Sequence, residues 1–93
     1  MMNKRDQEIL DMLAEEAAEV IQIIMKINRH GIESYHPDDP SRSNRDLLKE
    51  ELTDLFAMIG ETERNIVGNV KSADIEKAWH KKLKYSHFQG NSE

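Results

Sequence analysis

The first third of the chain carries an apolar pattern that is too wide for a helix with a single neighbour. Over residues 3–29, apolar side chains recur at three- and four-residue spacings, which predicts a helix. Projected at about 3.6 residues per turn, they cover well over half of the circumference, more than one contact face requires. We therefore expect a helical bundle in which this first helix is covered on two sides.

Capping and stop residues divide the rest of the chain into helices. Asn3 and Ser43 each precede a predicted helix and have an aspartate three positions on, whereas Gly31 and Gly68 follow the last periodic residues. The predicted helices run over about residues 3–29, 43–67 and 72–87. Residues 31–43, which include Pro37 and Pro40, predict a turn-rich loop. We expect one domain over residues 1–93, with residues 89–93 frayed.

The apolar surface of the predicted helices exceeds what they can hide from one another. The third helix presents Ile75, Ala78, Trp79 and Leu83 as its packing side, in addition to the stripes of the first two helices. A chain of 93 residues offers little surface to cover all of these faces. The predicted fold is therefore all-α, with about three helices per chain, and a homodimer in which the first two helices of each chain form a four-helix core.

Composition excludes several classes of function. The chain has no cysteine, which removes disulfide scaffolds, thiolate zinc sites and cysteine nucleophiles. A net charge of -5 is unfavourable for nucleic acid binding. The apolar runs are too short to span a membrane, and Asp6, Gln7 and Glu8 stand where a signal peptide needs apolar residues. We expect a cytoplasmic protein that binds neither nucleic acid nor membrane.

Acidic residues interrupt the apolar stripes of both long helices. Glu16 lies inside the first stripe, and Glu19 stands three positions on at the edge of the same face, flanked further out by Glu15. Glu51 and Asp54 repeat the arrangement on the second helix. Residues three apart project from one side of a helix, so each helix presents an acid pair on the side expected to be covered.

Four converging carboxylates need a positive partner. A buried carboxylate is costly even after relaxation, and mutual repulsion raises the pKa values of neighbouring acids. Lys26 could neutralise one of them, but a divalent cation is the simpler partner for the set, and oxygen ligands favour Mg²⁺ or Mn²⁺ over zinc or copper. The alternative is a solvated acidic face, which a single pair would indicate. Two pairs within apolar stripes favour the cation.

The two motifs resemble those of a known family. Glu15-Glu16-Ala17-Ala18-Glu19 and Glu51-Leu52-Thr53-Asp54 look like the EExxE…ExxD signature of the MazG-like all-α nucleoside triphosphate pyrophosphohydrolases. The resemblance covers about residues 10–59, and residues 29–37 resemble the loop of small phage-type members. Residues 20–50 form a spacer on the long side for the family, and the loop accounts for the surplus.

The resemblance implies a function and a set of site residues. It implies a dimer or a dimer of dimers that cleaves (deoxy)nucleoside triphosphates to the monophosphate and pyrophosphate with Mg²⁺, for which Mn²⁺ is a possible substitute. Carried over by position, the metal ligands are Glu16, Glu19, Glu51 and Asp54. Glu15 is a further ligand or orients the attacking water, so Glu15 and Glu16 are the expected catalytic residues.

Cationic and polar side chains are candidates for substrate contacts. The candidates are Lys26, Arg29, Arg42 and Arg45 near the loop, Asn65 on the second helix, and Lys81, Lys84 and Tyr85 on the last helix, where Lys82-Leu83-Lys84-Tyr85 is similar to the Lys/Tyr-rich end of family members. Asn65 could instead cap its helix. Tyr35 could stack on a base, and His30 or His36 could contact phosphate, but nothing in the sequence selects between the histidines.

Two other functions remain open at the level of sequence. Phosphoribosyl-ATP pyrophosphohydrolase shares the acidic signature and the chain length, although the Leu55-Phe56-Ala57-Met58-Ile59 continuation and the proline-containing loop resemble it less. A non-catalytic helical dimer, whose acids are solvated or bind a basic partner, belongs to a different class. It predicts that Mg²⁺ leaves the melting temperature unchanged, whereas a metal-binding protein is stabilised by mass action.

Overall fold

A computed structural model describes residues 1–86, and within them the chain is helical. The helices are α1 (Lys4–His30), α2 (Asn44–Thr62) and α3 (Ser72–Leu83), with a π-helical turn (Glu63–Val67) that continues α2. The prediction of an all-α chain with three helices is confirmed, since the described residues form no strand beyond one isolated pairing between Tyr35 and Ser43. No helix in this part of the chain is long and apolar enough to cross a bilayer.

The predicted caps bound the first two helices. The side chain of Asn3 accepts a hydrogen bond from the backbone N–H of Asp6 at 2.8 Å. Ser43 and Asp46 form a reciprocal capping box, in which the backbone N–H of Ser43 donates to the Asp46 carboxylate at 3.0 Å. Gly31 ends α1 with a φ of 98°, a conformation that favours glycine.

Helices α1 and α2 form an antiparallel hairpin. The buried side-chain amide of Asn44 at the start of α2 donates to the carbonyl oxygen of Gly31 at 3.0 Å, which joins the two loop ends of the helices. At the opposite end, the positive charge of Arg5 acts on Glu61. The most buried apolar residues, Ile9, Val20 and Ile23, all lie on the α1 face that packs on α2.

Helix α3 does not pack as predicted. Its expected packing residues Ile75 and Trp79 are each 58% exposed, Ala78 is exposed, and only Leu83 is half-buried. Within the described chain, α3 has no extensive contact with α1 or α2, so the prediction that these residues pack is wrong for a single chain. An amphipathic pattern shows that a face is apolar but not which surface covers it.

The end of α3 also differs from the prediction. The helix ends at Leu83, because the backbone N–H groups of Lys84, Tyr85 and Ser86 bond three residues back instead of four. The predicted end at His87 and the predicted frayed tail at 89–93 lie outside the described residues.

Candidate metal centre

Three carboxylates from the two packed helices meet near the middle of the hairpin. Glu16 of α1 and Glu51 and Asp54 of α2 each offer one oxygen, and these oxygens all lie within 4.8 Å of one another. We call these three residues the acid cluster. The three-residue spacing of Glu51 and Asp54 puts both on one side of α2, and the antiparallel packing brings Glu16 opposite them. The cluster unites three of the four predicted metal ligands.

Glu16 is the least satisfied member of the acid cluster. The residue is half-buried, and its buried Oε1 has no hydrogen-bond partner within residues 1–86. Burial raises the pKa of Glu16 above the usual 4.5, and the nearby carboxyl groups of Glu19, Asp54 and Glu15 raise it further. A buried carboxylate oxygen without a donor is costly, so the position favours a proton or a cation beside Glu16.

Glu19, the fourth predicted ligand, is exposed on α1 and lines a small cavity together with Glu51. Its side-chain interaction with Glu51 is the main cause that raises the pKa of Glu51, followed by burial and by the charges of Glu19, Asp54 and Glu16. Glu19 therefore contributes negative charge to the centre, although its oxygens lie outside the close group of three.

The donor set of the acid cluster fits a hard divalent cation. All three groups are carboxylates, and neither histidine nor cysteine belongs to the cluster among the described residues. Such oxygen ligands suit Mg²⁺, Mn²⁺ or Ca²⁺. Glu15, the other predicted catalytic residue, is exposed beside the cluster, and its charge acts on Glu16.

A small cavity lies between Glu51 of the acid cluster and Lys26 near the end of α1. It has a volume of about 150 Å³, and its walls include Glu19, Glu51, Lys26 and Leu47. A larger cavity of about 260 Å³ shares Lys26 and Leu47 with it. We call the larger one the loop cavity; its walls include Lys26, Arg29, His30, Tyr35, His36 and Leu47. The structure thus places the predicted substrate residue Lys26 on a cavity with Glu19 and Glu51, and both Lys26 and Arg29 on the adjoining loop cavity.

Other predicted substrate residues are engaged elsewhere. Arg42 pairs with Glu50 at 2.5 Å, and Arg45 pairs with Glu33 at 2.5 Å, so both guanidinium groups already have a carboxylate partner. The side-chain amide of Asn65 donates to the backbone carbonyl oxygen of Glu61 at 2.8 Å and to its carboxylate at 3.3 Å. The alternative that Asn65 serves its own helix is therefore the one that the geometry favours.

The predicted substrate residues of the last helix are not brought to the acid cluster. Lys81 lies on α3, and Lys84 and Tyr85 lie in the turn that follows. All three are exposed, and α3 has no extensive contact with α1 or α2 within the described chain. If these side chains contact a substrate at the cluster, another copy of the chain has to bring them there.

Sequence reasoning did not find the loop cavity as a unit. It named His30, Tyr35 and His36 singly, without selecting any of them, and did not name Ser34 or Asn44, which also line the cavity. No local pattern indicates the cavity, because the backbone N–H of Asn44 at the start of α2 bonds to the carbonyl oxygen of Ser34, ten residues earlier, at 2.8 Å. That closure folds the loop back over the end of α1.

The hairpin and its acid cluster define a class of architecture, an all-helical chain with a carboxylate centre between two antiparallel helices. No protein-family model matches the chain, and neither the curated proteins nor the solved structures include a significant match. The resemblance to the MazG-like family therefore depends on the motifs at residues 15–19 and 51–54 and stays a prediction.

Proposed function

We propose that the protein hydrolyses (deoxy)nucleoside triphosphates to the nucleoside monophosphate and pyrophosphate in a Mg²⁺-dependent reaction. The observation that carries the proposal is the buried, unpartnered Oε1 of Glu16 within a close group of three carboxylates. An acidic centre of this kind repels a triphosphate unless cations lie between them. A bound divalent ion resolves both the unsatisfied oxygen and the repulsion.

Glu16, Glu51 and Asp54 are the residues that would hold Mg²⁺, with Glu19 adding charge from the side. When bound, the ion supplies charge neutralisation for the phosphate oxygens and lowers the pKa of a coordinated water. Mn²⁺ suits the same oxygen ligands and is the expected substitute. The side-chain geometry that supports this assignment is the 4.8 Å grouping of the three oxygens.

Other residues would accept the proton of the attacking water and bind the phosphates. Glu15 is exposed next to Glu16, which suits it to orient the attacking water and accept its proton. The water oxygen bonds to the α-phosphorus while the bond from that phosphorus to the α,β-bridging oxygen breaks, and the bridging oxygen leaves with pyrophosphate. Lys26 lines both cavities and Arg29 lines the loop cavity, where they would meet the phosphates.

A second copy of the chain completes the proposed enzyme. A second apolar face of α1 carries Leu10, Ala14, Ala17, Ile21 and Ile24, at alternating four- and three-residue spacings. On α2, Leu52, Phe56 and Ile59 repeat this spacing, which is typical of helices that pack in bundles. Ile21 is 61% exposed and Phe56 is 66% exposed. These faces support a homodimer with a four-helix core.

A nucleotide panel tests the proposed reaction. We expect the purified protein with Mg²⁺ to release pyrophosphate, and not orthophosphate, from at least one triphosphate, and to be inactive in EDTA. Glu16→Gln and Asp54→Asn should abolish release without loss of helix content, whereas Glu8→Gln, an exposed acid on α1, should retain it. Intact nucleotides with both Mg²⁺ and Mn²⁺ would instead support the non-catalytic helical dimer. Selective cleavage of phosphoribosyl-ATP would identify the phosphoribosyl-ATP pyrophosphohydrolase alternative.

A further inference from the structure

The loop cavity concentrates positive charge in an acidic protein. Lys26 and Arg29 contribute from the last turns of α1. None of the described residues that line the cavity is a carboxylate, although the chain as a whole has a net charge of -5. A concave surface with one sign of charge focuses its field on a ligand of the opposite sign.

The charges of the loop cavity are available to a ligand. Within residues 1–86, no carboxylate lies within ion-pair distance of Lys26 or Arg29. Arg42 and Arg45, in and after the loop, differ because each is paired with a glutamate. Lys26 and Arg29 at the cavity wall are thus open to a ligand.

The loop cavity adjoins the small cavity that Glu51 of the acid cluster lines. Lys26 and Leu47 belong to both cavities, and Glu19 and Glu51 line the other side of the smaller one. Along α1, the seven residues from Glu19 to Lys26 correspond to about 10 Å of helix rise. An acidic cavity, suited to a metal-bridged phosphate, therefore adjoins a basic one, suited to a free polyanion.

We propose that the loop cavity is a binding site for pyrophosphate. Lysine and arginine donate charge-assisted hydrogen bonds to phosphate oxygens, and arginine can do so in a bidentate manner. A neutral nucleoside gains little from such a concentration of positive charge, which favours the phosphate end of a substrate over its base. The assignment of an anion site depends only on the cavity and its cationic side chains. Its role as the site of the leaving β- and γ-phosphates rests on the proposed function.

A calorimetric titration in EDTA tests the anion site without metal or turnover. The titrant is inorganic pyrophosphate, and the wild-type protein is expected to bind it, more weakly as salt is added. Lys26→Gln and Arg29→Gln should each weaken binding by about tenfold or more, which is typical for the loss of a hydrogen bond to a charged group. Lys4→Gln, the same change at the other end of α1, is the control and should change affinity by less than about twofold.

Amide chemical shifts give a second measure that does not depend on a variant. Pyrophosphate should shift the backbone signals of residues 29–36 more than those of Glu16 and Glu51. The proposal is overturned if wild-type protein fails to bind pyrophosphate in EDTA, or if Lys4→Gln weakens binding as much as Lys26→Gln does. It is also overturned if Lys26→Gln weakens binding of a nucleoside monophosphate and leaves pyrophosphate affinity unchanged, because the cavity would then hold the nucleoside.

The same titration separates this inference from the proposed reaction. Pyrophosphate binding with no hydrolysis of any triphosphate would leave the anion site standing and remove the pyrophosphohydrolase proposal. Hydrolysis by a protein that does not bind pyrophosphate in EDTA would support the pyrophosphohydrolase proposal and remove the anion site.

Discussion

Glu19 of α1 and Glu51 of α2 line the same small cavity, so two acids from different helices face one space. Interaction with the Glu19 carboxyl is the main cause that raises the pKa of Glu51. With the half-buried carboxyl of Glu16 nearby, the centre of the hairpin holds its negative charge at a cost to folding. Protons and divalent cations are therefore expected to compete for the same place.

The first prediction concerns pH in the absence of metal. The pKa values of Glu16 and Glu51 are raised above the usual 4.5, so the folded state binds more protons than the unfolded state between 4.5 and the raised values. Through that window, folding stability rises as pH falls. In EDTA, these two groups should therefore make the melting temperature higher at about pH 5.5 than at about pH 7.5. In the Glu16→Gln/Glu51→Gln double variant, the melting temperature should change less with pH over this range.

Other acids set the lower limit of this effect. Hydrogen bonds to Ser43 lower the pKa of Asp46, and Arg64 lowers that of Glu61. The stability that these two acids contribute is lost as pH falls through their lowered pKa values, below the usual 3.8 and 4.5.

The control for the double variant is Glu8→Gln, in which the melting temperature should change with pH as it does in wild type. Equal slopes in wild type and the double variant would contradict the assignment.

The second prediction concerns Mg²⁺ at neutral pH. Because the ion binds the folded acid cluster, a concentration about tenfold above its dissociation constant adds about 1.4 kcal/mol of stability. For a domain of this size, the melting temperature should rise by about 6–11 °C. Glu16→Gln should melt higher than wild type in EDTA, since it removes repulsion, but should lose the rise with Mg²⁺. Differential scanning calorimetry checks both. A rise retained in Glu16→Gln would place the ion elsewhere.

Much of the hairpin could be predicted because its signals are local. Asn3 and Ser43 each bond to the backbone of a residue three positions away, so a short sequence motif fixes the start of the helix. The pairing of Glu51 with Asp54 followed from the same kind of rule, since their spacing determines the side of α2 on which they lie. Such features need only the residues of one turn.

The remaining features depend on contacts between distant residues. The loop cavity exists because Arg45 and Asn44 bond back to the backbone of Ile32 and Ser34, and no periodicity encodes that return. The exposure of Trp79 shows the same limit, because its helix has an apolar side without a surface to cover it in the described chain. The π-helical turn at Glu63–Val67 falls within the predicted second helix, but its change of hydrogen bonding had no signal in the apolar pattern.

The third prediction compares two glycines. Gly31 has a φ of 98° and a ψ of 155°, a region that is essentially restricted to glycine, so Gly31→Ala should cost about 1–3 kcal/mol although a Cβ there meets no atom within 4 Å. Gly60 lies inside α2, where a Cβ would make only ordinary contact at 3.6 Å with the Arg64 guanidinium. Gly60→Ala should stabilise the protein by up to about 1 kcal/mol. Urea unfolding measures both, and effects of the same sign would refute the backbone explanation.

The fourth prediction concerns the apolar faces of the hairpin. Ile21 is 61% exposed and belongs to the second apolar face of α1, so a lysine there would bring a charge into the proposed four-helix core. Sedimentation over a concentration series should give twice the chain mass for wild type. Ile21→Lys should raise the dissociation constant by at least about tenfold, equivalent to about 1.4 kcal/mol.

Val70→Lys provides the matched control. Val70 is 50% exposed and lies between the π-helical turn and α3, outside the faces of α1 and α2. If exposure alone governed association, the two substitutions would act alike; if the apolar face of α1 forms the interface, only Ile21→Lys dissociates the dimer. A wild-type protein that sediments as a monomer throughout would exclude the four-helix core and leave Ile21 and Phe56 without a partner.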